Sequence, residues 1–249
     1  MKIVTCDTRK ELGKKAAEAG AALIRQAIKK DGCANIIVAT GASQFEMLDA
    51  LVTLPQIAWE KVVGFHLDEY IGLAVTHRAS FRHYLWQRFV RRLPVPPAAF
   101  HFIDGDSDPD MQCLRLNRII ANKTIHVAFV GIGENAHLAF NDPPADFKTS
   151  KPYHVVALDR ACRSQQVGEG WFASLKAVPS RAISMSCRQI LKAQTLIVSV
   201  PGKQKARAVK ASVEGPVTPS VPASILQTHT DIRLFLDKQS ASFLECANP

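Results

Sequence analysis

Apolar positions along this chain follow two rhythms. Short runs rich in β-branched residues, IIVAT (36–40), VVGFHLD (62–68), HVAFVGIG (126–133), HVVALD (154–159), TLIVSVP (195–201) and IRLFLD (232–237), have the length and character of buried strands. Between them, RKELGKKAAEAGAALIRQAIKK (9–30), QFEMLDALV (44–52), SFRHYLWQRFV (80–90), MQCLRLNRIIAN (111–122) and KQKARAVKASV (203–213) carry helical spacing, as Phe45, Leu48 and Val52 illustrate. This alternation predicts an α/β fold with a mostly parallel sheet covered by helices. The residues ahead of the first run read as one helix, and ASFLECANP (241–249) as a last one. The proline clusters PVPP (94–97) and DPPADF (142–147) read as loops, so a single domain over residues 1–249 is expected.

Composition narrows the class. A chain of 249 residues, 47% hydrophobic and 21% charged, has the makeup of a folded globular protein. No apolar run approaches the roughly 20 residues needed to span a bilayer, and MKIVTCDTRKELGKK lacks the apolar centre of a secretion signal. A cytoplasmic protein with no membrane partner is expected. Cys6, Cys33, Cys113, Cys162, Cys187 and Cys246 form no CxxC pair and no His/Cys cluster at zinc spacing, so they read as reduced thiols. The net charge of +9 is dispersed along the chain, without the basic tail or basic-aromatic stripe that marks a nucleic-acid binder. A positive field also attracts phosphorylated metabolites.

In open parallel sheets ligands collect beyond the carboxyl ends of strands, and three predicted strand ends carry unusual chemistry. After IIVAT comes Gly41-Ala42-Ser43, then a helix start. Ser43 with Glu46 fits a capping box, while the same small-residue turn could bring backbone N–H groups and a hydroxyl to a phosphate. After VVGFHL come Asp68 and Glu69, which on an extended segment face opposite ways. One of them, desolvated in a pocket, would gain the raised pKa of a useful base; the plainer alternative is a turn with solvated acids. After HVAFVGIG, the residues Glu134, Asn135, His137, Asn141 and Asp142 crowd together, and Asp142 is positioned to orient an imidazole at His137. Finally, Lys203 and Lys205 fall near the start of a predicted helix, where the macrodipole disfavours cations and a bound anion would offset the cost. For Lys203 a solvated position is the preferred reading.

Taken in order, TGAS, FHLDEYIGL, GIGENAHLAFNDPP, RSQQVGEGWFASLKAVP, GKQKA and PASIL resemble the glucosamine-6-phosphate deaminase (isomerase) family, from about residue 35 to near the C-terminus. The resemblance implies a Rossmann-like three-layer α/β/α fold shared with 6-phosphogluconolactonases, and conversion of glucosamine 6-phosphate to fructose 6-phosphate and ammonia without metal or organic cofactor. By the same resemblance Asp68 is the general base and His137 the ring-opening residue, with Asp142 as its carboxylate partner. Gly41, Ala42, Ser43 and Lys205 are expected to hold the phosphate, with Arg163 as a weaker candidate. One departure stands out: Asn135-Ala136 replaces the Asp-Gly usual before the histidine. Asparagine brings no charge to His137, so Asp142 becomes its expected charged partner. Alanine lacks glycine's easy access to positive φ.

Lactone hydrolysis, a preference for galactosamine 6-phosphate, and a non-catalytic sugar-phosphate sensor are the competing readings. The sensor lacks support because no helix-turn-helix is legible in the 35 residues before the first predicted strand. Many members of the family form homo-oligomers. The longer C-terminal tail of allosteric members is missing here, so an unregulated enzyme is expected.

Overall fold

The computed structural model describes residues 1–245. Seven strands form the main sheet, all neighbours parallel, in the order β1 (Lys2–Cys6), β10 (Ile232–Asp237), β9 (Thr195–Val200), β6 (Val127–Val130), β2 (Ala34–Val38), β3 (Val62–His66), β5 (Ala99–His101). Period-two alternation assigns the faces of this sheet. Ile36, Val38, Phe129 and Ile197 pack with helices α1 (Arg9–Asp31), α2 (Phe45–Leu51) and α3 (Phe81–Arg88), whereas Ile37, Ala128, Val130 and Val198 face the other layer. That layer contains α4 (Pro109–Ile120), α6 (Cys187–Ile190) and α7 (Ala206–Glu214). It also contains an antiparallel sheet of β4 (Asp68–Tyr70), β8 (Arg181–Met185) and β7 (Tyr153–Ala157). The three-layer α/β/α arrangement is the one expected.

The helices begin and end where their sequences say. Thr8 caps α1 by accepting from the Glu11 N–H at 3.1 Å, and Gly32 closes it at φ 75°. Asp108 caps α4 with Pro109 in its first turn. Each such cap contributes roughly 1 kcal/mol.

Several expectations need correction. The N-terminal residues are not one helix, because KIVTC forms edge strand β1 beside β10. The run 62–68 is not one strand: β3 ends at His66, and Asp68 starts β4 in the other sheet. The run 154–159 belongs with β7 to that antiparallel sheet, not to the parallel one. Helix α5 (Arg160–Gly168) and strands β5 and β8 had no clear periodic signal. Residues 241–243 are turns instead of the expected helix, whose residues 246–249, Cys246 among them, lie outside the described ones.

Strand order places the site. The chain steps from β2 outward to β3 and β5, then returns to β6 on β2's other side and continues to β9 and β10. The reversal lies between β2 and β6, and their carboxyl ends open the crevice where an α/β sheet binds ligands.

Candidate active site

A cleft opens at this reversal point. Its walls include Gly41, Ala42 and Ser43 after β2, Asp68, Gly131 to Gly133 after β6, His137, and Gln204 and Lys205 after β9. The sequence-predicted residues therefore meet, apart from Arg163, Asn135 and Asp142, which do not line it. Asp142 and Asn135 lie behind His137.

Two turns at this cleft share one backbone design. Gly41 (φ 91°, ψ 168°) leads a 3₁₀ turn over Ala42–Gln44 into α2, and Gly202 (φ 98°, ψ 146°) leads one over Lys203–Lys205 into α7. In each, the glycine carbonyl accepts from the N–H three residues on, Gln44 at 3.1 Å and Lys205 at 3.1 Å. Only glycine adopts that positive φ at little cost. The first turn is braced from outside, since the Tyr84 hydroxyl donates to the Gly41 carbonyl at 3.0 Å and the Arg9 guanidinium donates to that of Ala42. Beneath it Gln44, fully buried, points its amide nitrogen toward Ser43 Oγ at 3.1 Å and the Val130 carbonyl at 3.4 Å. The anticipated capping box is absent: Ser43 makes no cap, and Glu46 pairs with Arg9 at 2.8 Å. The 3₁₀ turn moves Ser43 out of the N-cap position.

Lys205 is 5% exposed, with Glu134 at 3.9 Å. Burial lowers its pKa, while Glu169 and Glu134 pull the other way. Lys203 is exposed, as preferred from the sequence.

Across the cleft, β4 separates the adjacent acids. Glu69 sits at the start of α3, accepting from the Tyr70, Phe81 and Arg82 N–H groups at 2.9, 3.1 and 2.7 Å and from the Ser80 hydroxyl at 2.9 Å. Burial pushes its pKa up to about 7, against the pull of these donors. Asp68 is buried too, but its Oδ1 has no hydrogen-bond partner. Desolvation, with a smaller contribution from Glu69, pushes its pKa up to about 8.

His137 follows the Gly131-Ile132-Gly133 stretch, and a Cβ on Gly133 would come within 2.2 Å of the imidazole. Asp142 Oδ1 lies 3.4 Å from His137 Nδ1, a loose contact that leaves Nδ1 without a well-formed hydrogen bond. Although burial raises the Asp142 pKa, the adjacent His137 imidazole, with donors from the Asp159 N–H and Asn135, holds it below the usual value. Asn135 makes no hydrogen bond to the ring. Its Oδ1 accepts from the His137 backbone N–H at 3.1 Å, and its Nδ2 donates to Asp142 at 3.1 Å. Ala136 adopts φ 65° despite its side chain, and Ala139 adopts φ 54°. Such conformations cost of order 1 kcal/mol each.

His137, Asp142 and Cys162 offer three potential metal-ligand atoms within 4.8 Å of one another. Burial raises the Cys162 thiol pKa far above its ordinary value, which opposes the thiolate that a metal needs.

These features have counterparts in known proteins. A family model described as glucosamine-6-phosphate isomerases/6-phosphogluconolactonase matches residues 7–235. The glucosamine-6-phosphate deaminase of Clostridium novyi is 34% identical over 249 residues, covering 98% of this chain and 100% of that protein. That of Lactobacillus delbrueckii subsp. bulgaricus is 32% identical over 246 residues, with 98% and 100% covered. This chain belongs to the glucosamine-6-phosphate deaminase family. A solved structure of a monomeric glucosamine-6-phosphate deaminase superposes with a TM-score of 0.89 at 30% identity, covering 97% of this chain and 99% of that one. The 6-phosphogluconolactonase of Thermotoga maritima shares the fold, with a TM-score of 0.77 at 13% identity over 95% and 98% of the two chains.

Within this member of the family, Arg163 is the misplaced candidate. Its guanidinium donates to the Leu175 and Val178 carbonyls at 2.7 and 3.0 Å, away from the cleft, so it braces the segment after α5. Several cleft residues escaped the sequence reading, among them Arg9, Phe140, Gln165, Gln166, Glu169 and Gln204. Arg9 lies in the first predicted helix with no motif to mark it, and the glutamines sit inside RSQQVGEGWFASLKAVP and GKQKA without an assigned role. Above them Trp171 packs edge-on against Phe45 and Tyr84, and its indole N–H donates to Glu169 at 3.1 Å.

Proposed function

We propose that this chain converts glucosamine 6-phosphate and water to fructose 6-phosphate and ammonia. The observation that carries the reading is one cleft holding a desolvated carboxylate, Asp68, and a histidine backed by a carboxylate, His137, beside a glycine turn and a buried lysine. The family membership supports the same reaction. His137, oriented by Asp142, moves the proton that opens the pyranose ring. Ionised Asp68 takes the C2 proton of the open-chain aldehyde and returns it to C1, leaving an imine at C2. Water adds there, and ammonia departs as the ketone forms. The turn at Gly41 to Ser43 and Lys205 hold the phosphate, fixing the sugar in register for both proton transfers.

The test mixes purified protein with glucosamine 6-phosphate and assays both products, with galactosamine 6-phosphate and 6-phosphogluconolactone as parallel substrates. Absence of ammonia at millimolar glucosamine 6-phosphate, beside an active control enzyme, sinks the proposal. The likeness to a monomeric deaminase supports a monomer over the homo-oligomer that the family also permits, to be read by light scattering. Among the described residues no helix is long and apolar enough to cross a membrane, in keeping with a proposed cytoplasmic site of action.

A further inference from the structure

A sugar phosphate brings close to two negative charges to its binding site at neutral pH. Lys205 meets this demand alone among the sequence-predicted phosphate ligands, and it already has Glu134 at 3.9 Å. Arg163 is committed to two carbonyls elsewhere. Among the described residues, Arg9 is the one arginine lining the cleft, together with Gly41, Ala42, Ser43 and Lys205.

We propose that Arg9 is the phosphate-binding arginine of this enzyme, reaching the substrate from the first turn of α1. This rests on the sugar-phosphate reading above. A guanidinium carries five N–H donors. In Arg9, Nη2 donates to the Ala42 carbonyl and Nε faces Glu46 at 2.8 Å, which leaves the Nη1 donors unpartnered among the described residues. The side chain is 38% exposed, so a ligand can reach it. Its location at the first residue of α1 puts a cation where the macrodipole disfavours one. Glu46 offsets part of that cost, and a phosphate offsets more. The bond to Ala42 has a second effect: it holds that carbonyl with Arg9, so phosphate turn and phosphate cation move as one unit.

The experiment compares wild type, Arg9→Met and Arg9→Lys by calorimetric titration with inorganic phosphate and by steady-state kinetics. Arg9→Met is expected to weaken phosphate binding and raise KM about ten- to a hundredfold, with a smaller change in kcat, as loss of a charged hydrogen-bonding group predicts. Arg9→Lys is expected to recover part of the affinity, since charge without the planar fork restores only the point attraction. Circular dichroism checks that each variant is folded. Phosphate affinity in folded Arg9→Met within twofold of wild type overturns the proposal, as does a wild type that binds no phosphate. Failure of the deaminase reading appears separately, as phosphate binding that depends on Arg9 in a protein that releases no ammonia.

Discussion

The two ends of the cleft are built on opposite terms. At the end proposed to bind phosphate, two glycine turns have their carbonyls held by backbone N–H groups, Tyr84 and Arg9, and the lysine has carboxylates nearby. At the end proposed to transfer protons, Asp68 Oδ1 lacks a partner, His137 Nδ1 has only a loose one, and Ala136 and Ala139 sit at positive φ. The difference lies in which groups stay unmet: at the first end buried Gln44 Oε1, an amide oxygen that does not titrate, lacks a partner, whereas at the second the unmet atoms belong to groups that gain and lose protons. A group that must change protonation works better with its hydrogen-bonding capacity open, whereas a group that only grips works better preorganised.

The sharpest way to break this contrast is Asp68→Asn. It is expected to lower kcat by roughly a hundred- to ten-thousandfold, while phosphate binding measured by calorimetry stays near wild type. Unchanged turnover would remove Asp68 from the base role. The same variant should be more stable than wild type at neutral and alkaline pH. An acid whose pKa rises on folding to about 8 keeps a proton that the unfolded chain loses, so its contribution falls as pH rises from about 4 toward 8. Urea melts at pH 5 and pH 8.5 measure this: the stability advantage of Asp68→Asn should grow with pH, and a shrinking one would reject the sign. In wild type, kcat/KM should fall as pH drops below about 8, because the base must be ionised.

Next in size is Glu69→Ala, which strips the acceptor from three backbone N–H groups and the Ser80 hydroxyl. A loss of about 3 kcal/mol is expected from such orphaned donors, read by urea denaturation. A loss below about 0.5 kcal/mol, within the range of ordinary surface changes, would show Glu69 to be dispensable to the fold. Asp142→Asn should cost about ten- to a hundredfold in kcat, the usual range for a group that orients another. Single-turnover kinetics with open-chain and ring-closed substrate locate that loss at ring opening. The smallest effect is at Ala136→Gly, expected to stabilise by roughly 1 kcal/mol because glycine relieves the positive φ. A destabilised variant would show that the turn carries no strain.

Much of the grip end was legible because its chemistry is local. Gly41 to Ser43 sit just past a β-branched run, where strand ends draw attention, and Lys205 is marked by its place near a helix start and by the family resemblance. The two partners in the acid pair were also separable by alternation: Asp68 faces the cleft and Glu69 the start of α3. What escaped were residues recruited across the chain. Arg9 reaches Ala42 over 33 positions, and Tyr84 reaches Gly41 over 43, distances at which periodicity carries no information. The break at Leu67 was hidden because VVGFHLD is apolar enough for either sheet; only the pairing of Asp68 with Ser184 decides it. Alanine resists positive φ, yet Ala136 adopts it with its N–H bonded to Gly133 and its carbonyl to Ala223, partners that local sequence does not announce.

The chain's tryptophans sample three surroundings. Trp59 is fully buried, Trp86 is 49% exposed, and Trp171 packs against Phe45 and Tyr84 and donates to the cleft residue Glu169. Emission from the first is fixed by the core and from the second by solvent. With Trp59 and Trp86 replaced by phenylalanine, the remaining indole, bonded to the cleft through Glu169, is expected to act as an optical gauge of cleft occupancy without any label attached to the enzyme.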